Sequence, residues 1–378
     1  MGRTLLRAPC AIVDGRFVRD AAVLCEDGQI VTAGSRTQVE PAADATIELD
    51  GTLLPGLVDL QVNGMGGRGC DEAEPDALEQ IAATAWRGGA AAFLPTLITA
   101  PFDLLCERAR GIAAWIATRE ARADAATPLG IHLEGPFLEV PGAHDPAHFV
   151  DPSPARITSL LEACGGSLRL VTLAPSLPSA AAATAQLRAA DVAVAFGHAR
   201  TIPGFDDCVA AGARGVTHLF NAMGGLSHRE PGFVGRCLDE PRLGCSLICD
   251  GAHLDPAIVR LAYRVLGVER TILVTDATNA AGMPDGRYEL SGMPVRAAHG
   301  VVRDAAGRLA GSALTMSEAC RNLAAFVHSV AAAELAAVAS ANPARLIAAT
   351  QFGVIRSGAV ARFALLGSDA ALRAFEPA

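Results

Sequence analysis

The chain contains no lysine: all 31 of its basic side chains, in 378 residues, are arginine. That absence removes Schiff-base and pyridoxal-phosphate chemistry, the lysine of a phosphate-binding loop, and a lysine carbamate bridging two metals. Aromatic residues are scarce, at 4%, and no apolar run approaches the ~20 residues of a membrane span. Leu5 to Val13 is too short, and too soon interrupted by Asp14, to act as the apolar region of a secretory signal. The ten cysteines include no CxxC pair and no regular framework, so they read as separate buried thiols of a cytoplasmic protein. An excess of positive charge is missing too. The formal charge of −9 argues against a nucleic-acid or membrane surface, although one or two focused arginines can still hold a small anion.

What is present is the composition of an ordered protein with many tight loops: 51% hydrophobic residues, 19% charged residues, 38 Gly and 22 Pro. Residues 1–54 show short apolar runs broken by Asp14-Gly15, Asp27-Gly28 and Asp50-Gly51, the pattern of a small antiparallel sheet. From Leu57 the pattern becomes short continuous apolar runs alternating with helix-length segments, as buried parallel strands with crossover helices require. The runs are Leu57–Asn63, Ala91–Thr96, Leu129–Glu134, Leu168–Ala174, Val192–His198, Gly215–Asn221, Gly244–Asp250 and Thr271–Asp276. Eight such units predict a closed (β/α)8 barrel over 55–350. Helices are expected over Asp76–Arg87, Phe102–Thr118, Ala180–Ala190, Pro256–Leu266 and Met316–Val327, and a hairpin insertion over Gly286 to Gly311. The stretch Phe352 to Leu366 is strand-like, so residues 351–378 are expected to return to the N-terminal sheet.

Chemistry in such barrels sits where strands end, so polar residues that close apolar runs are the ones to inspect. Glu134, His198 and His218 close three of them. One carboxylate and two imidazoles can give a zinc-like cation three ligands and leave a fourth position for water. Asp276 closes the eighth run and can take a proton from that water. His132 points to the same side as Glu134, about 6.6 Å deeper at the strand rise, and reads as a core histidine or a support for the ligands. His144, in the following loop, can polarise a carbonyl or be inert. His148, His228, His299 and His328 carry no signal.

Several blocks together resemble the N-acetylglucosamine-6-phosphate deacetylases of the amidohydrolase superfamily. They are Phe93-Leu94-Pro95-Thr96-Leu97-Ile98-Thr99, His132-Leu133-Glu134-Gly135-Pro136, Thr217-His218-Leu219-Phe220-Asn221-Ala222-Met223, Asp250-Gly251-Ala252-His253, Val274-Thr275-Asp276-Ala277 and Gly311-Ser312-Ala313-Leu314-Thr315-Met316. The resemblance implies an α/β fold, a metal-dependent (β/α)8 TIM barrel with a small β-sandwich domain formed from both chain ends, acting as a homodimer. It implies that Glu134, His198 and His218 hold the metal, with Asp276 as acid/base and His144 polarising an acetyl carbonyl. Substrate contacts are implied at Ala143, Asn221, Ala222, Asp250, Gly251, Ala252, His253, Leu309, Ala310 and Gly311. Arg229 is the implied partner of a phosphate.

Many amidohydrolases carry His-x-His after the first strand; here Gln61 and Asn63 stand there as vestigial second-metal positions, so one divalent ion is expected. Zinc is the expected ion, and iron, nickel or cobalt also suits these ligands. Two further departures are the loop Leu138-Glu139-Val140-Pro141 and a chain that stops at Ala378 before the usual closing strand, which predicts a trimmed accessory domain. The implied substrate is a phosphorylated N-acetyl amino sugar: N-acetylglucosamine 6-phosphate first, N-acetylgalactosamine 6-phosphate as the alternative. A non-catalytic sugar-binding barrel would have lost the ligand trio or the acid/base, and all four residues are present.

Overall fold

The computed structural model describes residues 2–39, 43–367 and 372–377. At its centre are eight short parallel strands: Leu57–Val62, Ala90–Ile98, Ile131–Glu134, Leu168–Leu173, Ala193–Phe196, Gly215–Val216, Gly244–Ile248 and Thr271–Val274. Each is hydrogen-bonded to the next in chain order. They coincide with the eight apolar runs, and they are almost wholly buried because helices cover one side and the packed interior the other. A parallel bridge between Val62 and Ala277 joins the last strand's exit to the first strand, so the sheet closes into a (β/α)8 barrel.

The helices expected from periodicity form, with Phe102–Thr118 and Met316–Val327 at the expected bounds. The latter starts with a capping box, in which Thr315 accepts from the Glu318 N–H and Glu318 accepts from the Thr315 N–H. Several strands stop short of the apolar pattern: the fifth ends at Phe196, the sixth at Val216 and the eighth at Val274. The polar residues read as strand ends therefore lie in the loops just beyond.

Both chain ends meet in a second sheet of seven strands. Arg3–Val13, Arg16–Glu26 and Gln29–Ser35 are antiparallel neighbours, turned by the two Asp-Gly pairs as expected. The sheet as a whole is mixed, not antiparallel. Ala45–Glu48 and Thr52–Pro55 both run parallel to Arg3–Val13, because Asp50-Gly51 links two strands that follow the same neighbour in succession instead of folding on one another. The C-terminal strand is confined to Phe363–Leu366, which pairs with Thr52–Pro55. A closing strand is also present, contrary to expectation: Leu372–Phe375 pairs antiparallel with Phe363–Leu366 and buries Leu372. The buried Arg362 fastens this tail to the barrel, donating to the carbonyls of Ala91, Ala125 and Arg122 and pairing with Glu376.

The insertion after the eighth strand is a four-stranded meander, Gly286–Leu290, Met293–Ala298, Val301–Asp304 and Leu309–Ser312, and not a single hairpin. Its last strand is stitched to the loop that carries Asp276: the Ser312 N–H donates to the Asp276 carbonyl at 2.8 Å and the Ser312 hydroxyl to that of Thr275 at 2.6 Å.

The barrel seam is reinforced by Asp59, fully buried on the first strand, whose carboxylate accepts from the Thr275 hydroxyl at 2.5 Å and the Thr275 N–H at 3.2 Å. Burial pushes this carboxyl up to about 6, against the pull of those donors. The unfolded value is about 3.9. Folding therefore favours the protonated form, and this contribution to stability is full below about pH 4 and lost as pH rises through about 6. Asp59→Asn is expected to remove on the order of 2–3 kcal/mol of the fall in unfolding free energy between about pH 4 and 7, measured by urea denaturation. Parallel profiles for the two proteins would contradict this.

Candidate active site

The loops after the barrel strands converge on one carboxylate. Glu134, at the end of the third strand, places Oε1 2.7 Å from Nε2 of His218 and 3.2 Å from Nε2 of His198. Its Oε2 lies 3.7 Å from Nε2 of His144. The donor atoms of Glu134, His198 and His218 all stand within 4.8 Å of one another, and all three residues are buried. Ligand atoms around a tetrahedral ion with bonds of about 2.0–2.2 Å stand roughly 3.3–3.6 Å apart, so this group is of the right size.

The hydrogen bonding of His198 also favours a cation. Its Nδ1 lies 2.8 Å from the Val140 carbonyl, which can only accept, so Nδ1 carries the proton. Burial lowers its pKa to about 4, so the ring is neutral and Nε2 presents a lone pair to Glu134. Two acceptors face each other across 3.2 Å, and a positive ion between them resolves the clash. Burial by itself would raise the Glu134 carboxyl, but hydrogen bonds from His144 and His218 hold it well below the usual range. His218 moves the other way. Burial is outweighed by the Glu134 hydrogen bond and the Glu134 and Asp276 charges, which raise it.

The backbone explains how two histidines and an aspartate turn inward from loops. His198, His218 and Asp276 have φ of 49°, 33° and 52°, in the left-handed region that residues with a Cβ rarely occupy. Such strain persists only where the surroundings hold it. The loop Leu138–Pro141 does this for His198: the N–H groups of Glu139 and Val140 donate to its carbonyl at 3.0 and 2.8 Å, while the Val140 carbonyl accepts from its ring Nδ1. The Glu139 carboxylate in turn accepts from Ser176, Arg200 and Thr201. Gly142 is needed where this loop passes the ring, since a Cβ there would lie 3.0 Å from Cε1 of His198.

Asp276 lies on the same rim. Its Oδ1 accepts from Nδ2 of Asn63 at 2.8 Å. Burial, reinforced by the Glu134 charge, pushes its carboxyl up to about 7, against the opposing influence of His218, His253 and Asn63. Asn63 thus orients a carboxylate, a use that reading it only as a vestigial position did not find. Gln61 is buried, and its Nε2 has no hydrogen-bond partner among the described residues.

His144 is fixed by Thr99, whose hydroxyl lies 2.9 Å and whose N–H donates at 3.4 Å to Nδ1. An Nδ1 that accepts a backbone N–H leaves the proton of the neutral ring on Nε2, the atom facing Glu134. His132 is a core histidine, with Nε2 2.8 Å from the Thr172 hydroxyl, which in turn meets Thr217 at 2.6 Å.

A cavity of about 270 Å³ opens over these groups. Asn63, Ala143, His144, Asn221, Ala222, His253, Leu309 and Gly311 line it beside Glu134, His198, His218 and Asp276. Asp250 stands behind His253, with Oδ2 2.7 Å from its Nδ1, and Oδ1 accepts the N–H groups of Ala252 and His253 at 2.8 Å. Gly251 is exposed, and Ala310 is buried in the meander's own core. Arg229 is exposed and does not line the cavity. Ile98 and Leu290 form apolar walls that carried no signal in sequence, since each reads as an ordinary core residue.

The model of the amidohydrolase family matches residues 52–376. The chain belongs to the amidohydrolase family. The N-acetylgalactosamine-6-phosphate deacetylase of Escherichia coli O157:H7 is 36% identical over 351 residues, covering 91% of this chain and 89% of that protein. The N-acetylglucosamine-6-phosphate deacetylase of Bacillus subtilis (strain 168) is 31% identical over 378 residues, covering 98% and 93%. A mutant N-acetyl-D-glucosamine-6-phosphate deacetylase from Mycobacterium smegmatis, solved in complex with N-acetyl-D-glucosamine-6-phosphate, superposes with a TM-score of 0.89 at 32% identity over 98% of this chain and 97% of that one. The resemblance seen in the sequence blocks therefore extends over nearly the whole amidohydrolase chain.

Metal-stripped protein is expected to gain about 2.7 kcal/mol of stability when a divalent ion is added to a hundredfold over its Kd, read as a rise in thermal midpoint. Glu134→Ala and His198→Ala should lose that gain and His132→Asn should keep it. A gain unchanged in Glu134→Ala would place the ion elsewhere.

Proposed function

We propose that this amidohydrolase hydrolyses the acetamide of N-acetylglucosamine 6-phosphate to glucosamine 6-phosphate and acetate, using one divalent ion, zinc by preference, held by Glu134, His198 and His218. The observation that carries the proposal is a buried Asp276, its carboxylate held by Asn63, on the rim beside that cradle. The names of the relatives support the substrate class. Because the Escherichia coli relative acts on the galacto epimer by its name, N-acetylgalactosamine 6-phosphate is the second reading.

An amide resists hydrolysis because its carbonyl is a poor electrophile and its nitrogen a poor leaving group. When bound, the ion supplies Lewis acidity, polarising a carbonyl and lowering the pKa of a water. The chain's own residues do the rest. Asp276 takes a proton from the attacking water as the oxygen adds to the acetyl carbon. His144, with its proton on Nε2, donates to the carbonyl oxygen as charge develops there. As the C–N bond breaks, Asp276 passes the proton to the sugar nitrogen, and amine and acetate leave. Burial raises the Asp276 carboxyl from its ordinary value, which suits a group that must first accept a proton and then donate it. Asn63 keeps the carboxylate aimed.

Asn221, the backbone at Ala143 and Ala222, the Asp250-to-His253 turn and the Leu309-to-Gly311 strand are assigned to the sugar, and Arg229 to its phosphate. The family resemblance supports a homodimer. Free thiols at all ten cysteines, nine of them buried, support a cytoplasmic setting.

Asp276→Asn is expected to keep its metal and lose about 10²–10⁴ in kcat. A near-normal rate would remove Asp276 from this role. Acetate release should be fastest from N-acetylglucosamine 6-phosphate, slower from the galacto epimer, and slowest without phosphate. Arg229→Ala should raise KM for the phosphorylated sugars alone. Equal kcat/KM with and without phosphate would overturn the assignment of Arg229.

A further inference from the structure

At the opposite end of the barrel from Glu134, where the strands begin, lies a second cavity of about 450 Å³. It opens beside Ala193, Gly244 and Ile272, at or near the starts of the fifth, seventh and eighth strands. Among the described residues, five arginines line it, Arg188, Arg214, Arg242, Arg270 and Arg345, against a single acidic residue, Glu269. In a chain of net charge −9 this is a concentrated reversal of sign.

Part of the cluster is structural. Arg214 donates to the carbonyls of Ala213 and Val209, Arg270 to those of Glu240 and Leu238, Arg188 to that of Val192 and Arg345 to that of Glu269. These carbonyls lie at or just beyond helix C-termini, where a cation is favoured. That role uses one or two of the five donors of each guanidinium. Arg242 is engaged with Glu240 at 2.6 Å, and Arg345 stands 3.8 Å from Glu269. Arg188, Arg214 and Arg270 have no carboxylate within 4.0 Å among the described residues. The Arg188 side chain is laid across Gly212, where a Cβ would come within 2.9 Å of its Cγ, so its course is fixed by the helix end it crosses.

We propose that this cavity binds a small polyanion carrying two or more phosphate groups, at a site separate from the catalytic mouth. Its size falls in the range of small-molecule pockets, about 300–1,000 Å³. Forked guanidinium donors match phosphate oxygens in pairs, and three arginines without carboxylate partners exceed what a single monoanion neutralises.

Titration calorimetry of the metal-loaded enzyme with inorganic pyrophosphate tests the site. Wild type and Arg229→Ala are expected to bind it alike, with affinity falling as salt rises. The double variant Arg188→Ser/Arg214→Ser is expected to bind at least about tenfold more weakly, with kcat for acetate release unchanged. Absence of binding to wild type, or binding that survives in the double variant, would overturn the proposal. So would loss of binding in Arg229→Ala, which would place pyrophosphate in the active-site region instead. If the double variant folds poorly, by far-ultraviolet circular dichroism, Arg188→Ser alone is read, and unchanged affinity there overturns the proposal equally.

Discussion

A buried carboxylate that faces three imidazoles is the constraint on which the rest of this molecule turns. Glu134 is buried, and its charge is offset by His144 and His218, while the face it shares with His198 calls for a cation. Removing one partner from such a group leaves an uncompensated buried charge, at a cost of several kcal/mol. The three histidines come from separate loops, so each must be delivered with little freedom. That requirement accounts for the left-handed backbone at His198 and His218, the glycine at 142, and the clamp of Glu139 and Val140 on His198.

The barrel supplies the rigidity that makes this possible. Parallel strands fix the separation of the loops, and the seam between the first and last strands lies almost under the reacting centre. Asn63 follows the first strand and orients Asp276, which follows the eighth, so closing the barrel and aiming this carboxylate are one event. The meander fastens the other side of the Asp276 loop through Ser312.

Much of this was legible in the sequence. The eight apolar runs announced the barrel because strands buried on both faces need continuous Val, Leu, Ile and Ala. Glu134, His198, His218 and Asp276 stood out because each interrupts such a run with a group that is costly to bury. The loop geometry was less legible. The runs gave no sign that the fifth and sixth strands stop before their histidines, since positive φ at a non-glycine residue leaves no mark in composition. Thr99 and Val140 stood in noted segments without a role, because they act through a hydroxyl and a carbonyl that nearly any loop can offer. Asn63 was read by what it had replaced rather than by what it donates. In the accessory sheet, two Asp-Gly pairs behaved as hairpin turns, with both residues at positive φ, and the third did not: Gly51 has φ of 145° and Asp50 is outside the left-handed region.

The central claim is that one carboxylate and two imidazoles, and no thiolate, grip the ion. X-ray absorption at the zinc edge of the loaded protein tests it most directly. The account predicts nitrogen and oxygen neighbours at about 2.0–2.2 Å with two imidazole signatures. A sulfur shell at about 2.3 Å, or fewer than two imidazoles, would contradict it.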